Sequence, residues 1–316
     1  MFSYRHAFHA GNHADVLKHT VLIATLDHLL EKEAALTVVD THAGAGLYRL
    51  DGDYAGTSGE AAEGVLRLLA DKKAPASPAP AAKSAAKKAA PEAEAPLADA
   101  IARYLSVIHD FNPKGGARIY PGSPFIVHHL LRDHDKLKLF ELHPTDARTL
   151  DANIAQLEAG RQIAVLREDG FGSATKFLPP PSRRALVLMD PSYEIKSDYG
   201  RVLDFAAEAL KRFATGTYAI WYPIIPRPEA HDLPRRLKTL ATKAGKPWLH
   251  ATLTVKSSKL TTTPTGETQR PGLPASGMFL INPPYTLKPL LAAALPQLAE
   301  RLAQDRNATF SLDAGG

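Results

Sequence analysis

Cysteine is absent from the 316 residues, which excludes disulfides, thiolate metal ligands and thiol catalysis together. Absent too is any apolar run near the roughly 18 to 20 residues that a membrane-spanning helix needs. The opening stretch, "MFSYRHAFHAGNHADVLKH", is rich in histidine and has no apolar core of the kind a secretory signal carries. These gaps point to a soluble, cytoplasmic chain. A further poverty marks residues 74–96, "APASPAPAAKSAAKKAAPEAEAP". No aromatic and no branched aliphatic residue stands there to be buried, so a disordered or partly helical tether is expected.

The rest is rich enough in apolar residues, 45% of the chain, to bury one large core and an accessory lobe. Net charge is +5, and the basic pairs Arg183-Arg184, Lys211-Arg212 and Arg235-Arg236 would suit a polyanion, although solvated faces produce such pairs too. Short β-rich runs occur at 36–40, 136–141, 162–166, 185–190, 217–222, 251–255 and 278–282, most of them separated by helical patterns. Before the first run, Leu22, Leu26, Leu29 and Leu30 follow the spacing of an amphipathic helix, with His19 one turn earlier on that side. Strand alternating with helix predicts an α/β fold with a doubly wound, mainly parallel sheet, whose ligands sit beyond the carboxyl ends of the strands.

The first strand ends in "DTHAGAG", Asp40 to Gly46, where Gly44 and Gly46 permit a tight turn and a close backbone approach to a ligand. The third glycine of the dinucleotide fingerprint is missing, and a carboxylate precedes the turn. Such an end suits a cationic, phosphate-free ligand such as S-adenosylmethionine (AdoMet) better than a pyrophosphate. Other strand ends agree. Glu141 in "LKLFELHP" is placed to accept both hydroxyls of a ribose, and Asp169 with Gly170 in "LREDGF" suits an adenine amine. Asp190 in "ALVLMDPSYE" ends a fourth strand. The gap from Asp40 to Glu141 is far longer than the roughly 30 residues of a βαβ unit. A small helical insertion after the first strand is therefore expected over 49–115, with the tether inside it and "EAAEGVLRLLA" and "LADAIARYLSVI" as its helices, leaving 1–48 and 116–316 as the main domain.

The segments "SYRHAFHAGNHADVLKH", "DTHAGAG", "YPGSP", "ELHP", "EDGF", "SRRALVLMDPSYE", "KRFATGTYAIWYP" and "ASGMFLINPP" together resemble, in order, those of the bacterial 23S ribosomal RNA adenine-N6 methyltransferases of the RlmJ family. The resemblance covers nearly the whole chain except the tether and the last twenty or so residues. It implies a Rossmann-like, AdoMet-dependent methyltransferase fold, 23S ribosomal RNA as partner, no membrane association and a monomer. Carried over by motif, His19, His42, Ser123, Glu141, Asp169 and Gly170 would contact the cofactor, beside Asp40, Gly44 and Asp190 at the strand ends. Asp190 would be the catalytic acid-base residue, with Pro191 fixing its backbone and Tyr193 stacking on the target base. Tyr4 would touch the RNA.

Adenine N6 is a poor nucleophile because its lone pair is delocalised into the ring. A carboxylate accepting an N6 hydrogen helps to localise that pair and can take the surplus proton afterwards. Enzymes of this chemistry often carry Asp-Pro-Pro-Tyr, and here Ser192 replaces the second proline. Pro191 still disfavours the helical region for Asp190. The lost rigidity at Ser192 is worth roughly 0.4 to 1 kcal/mol, small beside the 8 kcal/mol or more by which enzymes typically lower barriers. A competing "INPPY" at 281–285 belongs to the last strand, not the fourth, and is disfavoured by chain order. The histidines at 6, 9, 13, 19 and 42 lack the carboxylate or thiolate spacing of a zinc site, so no metal is expected. The segment "SYRHAFHAGNH" is expected to be a flap that orders over cofactor and RNA. Two other readings stay open from the residues alone: an amino-methyltransferase acting on DNA, another RNA or a protein glutamine, and an RNA-binding protein disarmed by Ser192.

Overall fold

In the computed structural model the described residues are 8–51, 59–71, 96–259, 261–262, 268–269 and 272–316. Tyr4 with the rest of flap residues 3–7, and residues 74–95 of the tether, lie outside them. The central sheet is built from β1 (Thr37–Asp40), β4 (Lys136–Phe140), β5 (Ile163–Leu166), β6 (Ala185–Met189), β7 (Thr217–Ile224), β8 (Trp248–Thr254), β11 (Ala275–Ile281) and β12 (Thr309–Gly315). Two ribbons stand apart, β2 (Leu47–Arg49) with β3 (Ile119–Pro121), and β9 (Thr261–Thr262) with β10 (Thr268–Gln269). In space the sheet runs β12-β8-β11-β7-β6-β1-β4-β5. The strands from β5 through β7 are parallel, β11 runs against both β7 and β8, and β12 runs against β8. Six strands thus share one direction, as the alternation of strand and helix predicts.

Both faces of this sheet are covered, which explains why β6 reads "ALVLM" without a polar residue. Leu186 and Leu188 point into one apolar cluster, while Ala185, Val187 and Met189 point into another. In β11, Met278 and Leu280 join the first, and Phe279 and Ile281 the second. That period of two with both phases apolar is the mark of a strand buried on both sides.

Helix α1 (His13–Leu30) departs from its amphipathic expectation, since every residue from His13 to Leu26 is buried. It lies on the sheet at β11 and β7. Its outer sides are covered by α3 (Asp99–Asp110), α4 (Ser123–Leu130) and α9 (Leu287–Arg301). The chain between β1 and β4 supplies the cover that the leucine spacing could not show: Val65 and Leu68 of α2 (Val65–Asp71) and Ile101, Tyr104, Leu105 and Ile108 of α3 belong to the same cluster as α1. Asn12 caps α1, its side-chain oxygen accepting from the Ala14 and Asp15 amides at 2.9 and 3.0 Å, an arrangement typically worth about 1 kcal/mol. Among the described residues no helix is long and apolar enough to cross a membrane.

Topology also settles the position of the competing "INPPY". Because β11 runs against the parallel strands, Ile281 pairs with Tyr218 near the start of β7, and Asn282 emerges at the amino edge of the sheet. There its side chain donates to the carbonyls of Ala214 and Gly216 at 3.0 and 2.7 Å, closing the turn before β7. The carboxyl ends of the parallel strands lie at the opposite edge.

Candidate active site

At those carboxyl ends, β1 is flanked by β4 on one side and β6 on the other, and the chain reverses direction across the sheet between them. This is where doubly wound sheets form their ligand crevice. A cavity of about 630 Å³ opens here, within the roughly 300–1,000 Å³ usual for small-molecule sites. Its walls carry the carboxylates of Glu141, Asp146, Asp169, Asp190, Glu194 and Asp198 against two cations, Lys18 and Arg201. An acidic lining of this kind suits a positively charged ligand and repels a pyrophosphate.

Nine of the expected site residues line the cavity: His19, His42, Gly44, Ser123, Glu141, Asp169, Gly170, Asp190 and Pro191. Glu141 is gripped by main-chain amides, from Gly44 to Oε2 at 2.8 Å and from His143 to Oε1 at 2.6 Å. Burial raises its pKa and the two amides oppose the rise. Gly44 adopts φ +61°, a conformation that lets its N–H turn toward that carboxylate. Gly170 opens α6 (Gly170–Ser173), and a Cβ there would lie 2.2 Å from the Thr41 carbonyl oxygen, so the third strand end can approach the first only through glycine. Asp169 caps that turn, its Oδ1 accepting from the Phe171 amide at 3.0 Å. The His42 ring sits edge-on to Phe171 with centroids 4.6 Å apart, and burial pushes its pKa down to about 3, leaving a neutral imidazole. His19 stacks on Tyr120, whose hydroxyl lies 2.8 Å from Nδ1 and in turn meets the Tyr104 hydroxyl of α3 at 3.2 Å.

Two residues take places other than the expected ones. Asp40 is fully buried behind the cavity wall, where Ser123 Oγ donates to its Oδ2 at 2.6 Å and the His42 amide to Oδ1 at 3.2 Å. It therefore orients two wall residues from behind. Tyr193 has φ +54° and is only 2% exposed; the left-handed turn carries its ring into the second apolar cluster, against Tyr199 at 4.6 Å, with its hydroxyl donating to the Trp221 carbonyl at 2.7 Å. In this position the ring offers no face to a base in the cavity. The apolar side chains at the rim are instead Leu142 and Ile195, 49% and 60% exposed.

Burial raises the pKa of Asp40 to about 6, opposed by the Ser123 and His42 hydrogen bonds. The folded protein therefore holds a proton there that the unfolded chain, with an ordinary carboxylate near 4, has already lost. Stability from this group is complete below the unfolded value and is lost as pH rises through about 6. Asp40→Asn removes the titration. Denaturant unfolding from pH 4 to pH 7 is expected to show wild type losing roughly 2–3 kcal/mol relative to the variant, and parallel curves would refute it.

Sequence reading passed over Lys18, which stands at the centre of the site. Its Nζ lies 2.5 Å from Asp190 Oδ2 and 2.8 Å from Asp15 Oδ1, and Asp15 Oδ2 accepts from the Gly11 amide at 2.9 Å. Burial disfavours the Lys18 cation, but the two carboxylates outweigh it and raise its pKa. No other donor among the described residues reaches Asp190, so Oδ1 is left for a ligand. The available signal was a pair of opposite charges one turn apart, Asp15 and Lys18, on a helix whose following stretch, "VLIATL", is largely apolar. The basic pairs, by contrast, serve local structure: Arg184 donates to the carbonyls of Leu29, Lys32 and Ala34, Arg212 pairs with Glu208 and Arg235 with Asp232. Among the described residues no group of three or more potential ligands could hold a metal ion.

Known proteins share this architecture along nearly the full chain. A Legionella pneumophila protein of known crystal structure superposes with a TM-score of 0.77 at 28% identity, covering 97% of this chain and 98% of that one. "Ribosomal RNA large subunit methyltransferase J" of Escherichia coli K12 is 40% identical over 302 residues, 96% of this chain and 94% of the relative. The protein of the same name from Haemophilus influenzae is 38% identical, over 99% and 98% of the two chains. The model of the family "Ribosomal RNA large subunit methyltransferase D, RlmJ" matches residues 33–313, reaching into β12, which the motif resemblance had left out. With a doubly wound Rossmann-like sheet, an acid at each of the expected strand ends and these matches across its length, the chain belongs to the RlmJ family of ribosomal RNA large subunit methyltransferases.

Proposed function

We propose that this protein transfers a methyl group from AdoMet to N6 of an adenine in 23S ribosomal RNA, as a cytoplasmic monomer in which 49–115 is a helical insertion in a domain made of 1–48 and 116–316. The observation that carries the reading is Asp190: it leaves β6 directly into the cavity, followed by Pro191, with Oδ2 held by Lys18 and Oδ1 open. The donor set fits the cofactor. Glu141, fixed by two amides, keeps lone pairs for a ribose diol, Asp169 for an adenine amine, and the acidic lining for a sulfonium and ammonium.

Bound AdoMet supplies an electrophilic methyl group. The protein's part is to present the nucleophile. Asp190 Oδ1 accepts one N6 hydrogen of the target adenine, which draws the nitrogen lone pair out of ring conjugation and aims it. The nitrogen–carbon bond would form as the methyl–sulfur bond breaks and the neutral thioether leaves; the nitrogen would then be cationic, and one of its protons would pass to Asp190 and then to solvent. Lys18 holds the carboxylate in place until then. The target base has to leave its stack, at a cost of a few kcal/mol, and Leu142 and Ile195 supply apolar surface at the rim where it enters. Tyr4 remains the proposed RNA contact of the N-terminal flap.

Incubation with methyl-labelled AdoMet and deproteinised 23S rRNA lacking the modification, followed by digestion to nucleosides, tests the reading. Label is expected in N6-methyladenosine. Binding of AdoMet without transfer to this RNA, or transfer to DNA in its place, would overturn the substrate.

A further inference from the structure

Arg201 lies outside every motif that marks the site, yet it lines the cavity. It stands in the first turns of α7 (Ser197–Arg212) and reaches across to the loop after β5. Its Nη2 donates to Asp169 Oδ2, its Nη1 lies 3.8 Å from Asp198 Oδ1, and its guanidinium covers the Phe171 ring with 4.9 Å to the centroid. Asp169 Oδ1 meanwhile accepts from the Phe171 amide. The carboxylate is thus held at both oxygens, by a cation from one side and a helix-turn amide from the other, and cannot rotate about its last bond.

We infer that Arg201 is the positioning residue of the cofactor's base subsite, holding Asp169 as a fixed, acceptor-only group that selects a 6-amino purine and rejects a 6-oxo one. The inference rests on the AdoMet-dependent reading above and deepens it. A carboxylate oxygen engaged once still has a second lone pair, directed by the first contact. A carboxylate presenting only acceptors pairs with an amine, whereas a 6-oxo purine sets a carbonyl oxygen against it, acceptor facing acceptor, the kind of mismatch that gives strong discrimination. The same guanidinium, stacked on Phe171, keeps the neighbouring wall flat beside His42. Arg201 and Asp169 are each more than a third exposed at the side chain, so as a mere ion pair the contact would contribute little to stability. A residue that only braced the fold would shift unfolding and leave ligand selectivity alone.

Titration calorimetry on the full chain with S-adenosylhomocysteine and with its inosine counterpart separates these cases. Wild type is expected to prefer the adenine compound by at least about tenfold. Arg201→Met is expected to weaken S-adenosylhomocysteine by about tenfold while changing the inosine compound little, so that the preference falls to about threefold or less. Arg201→Lys, retaining a charge without the planar fork, should fall between them. Both dissociation constants within about twofold of wild type in Arg201→Met would overturn the inference, and should that variant fold poorly, a wild-type preference in Arg201→Lys would do the same. Methyl transfer by wild type is read alongside. If it proceeds and the variants keep the preference, this inference alone falls; if wild type binds neither compound, the inference falls together with the reading beneath it.

Discussion

Asp190→Asn is expected to lower the rate of methyl transfer by about 10²- to 10⁴-fold, the usual span for loss of a positioned acid-base group, while reducing AdoMet affinity far less. The two effects separate because the residues assigned to the cofactor's ribose and adenine, Glu141 and Asp169, stand at other strand ends and draw their own support from Gly44, His143, Phe171 and Arg201. Asparagine keeps the shape and one acceptor, which Lys18 would claim, so the side chain would turn an N–H toward the substrate amine. Two donors then face each other and the N6 lone pair stays in the ring. Single-turnover transfer with saturating AdoMet and RNA measures this directly. The control is Asn282→Ala. At the amino edge of the sheet, tied to Ala214 and Gly216, Asn282 has no path to the chemistry, and its loss should show in thermal unfolding rather than in rate. Turnover that survives Asp190→Asn and dies in Asn282→Ala would reverse the assignment.

What the sequence made legible follows from what is local in it. The acids at 40, 141, 169 and 190 could be found because each ends a short apolar run, and chain order alone puts such ends along one edge of a parallel sheet. Even the direction of β11 mattered only afterwards, as the physical reason why Asn282 is remote. Three features were not local. The helix at 13–30 reads as amphipathic until α3, some seventy residues later, is seen to cover its far side. The strand at 309–315 is half-exposed along its length, contains Asp313, Ala314 and Gly315, and takes its β form from pairing with β8, not from propensity. Tyr193 reads as the stacking ring of its motif, but the sign of one backbone angle sends the ring under the sheet end toward Trp221. No periodicity encodes that angle.

Lys18 is the case in which structure changes the energetic argument, and Lys18→Met is expected to destabilise the protein by about 3–5 kcal/mol, the cost of leaving buried charge without its partner. Methionine matches the length of the lysine stem, so packing inside α1 is preserved and the loss is electrostatic. What remains is Asp15 at 2% side-chain exposure and Asp190 at 14%, two carboxylates that the ammonium had held 2.8 and 2.5 Å away. The Gly11 amide still donates to Asp15, and nothing among the described residues compensates Asp190. Denaturant unfolding without cofactor gives the magnitude. A second substitution then tests the cause: Lys18→Met combined with Asp15→Asn removes one of the two stranded charges and should recover about 1–3 kcal/mol of the loss, the coupling expected of residues in one network. If the pair instead add as independent sites, the lysine is a spacer rather than a counter-ion, and the orientation of Asp190 has to come from Pro191 and the end of β6 alone.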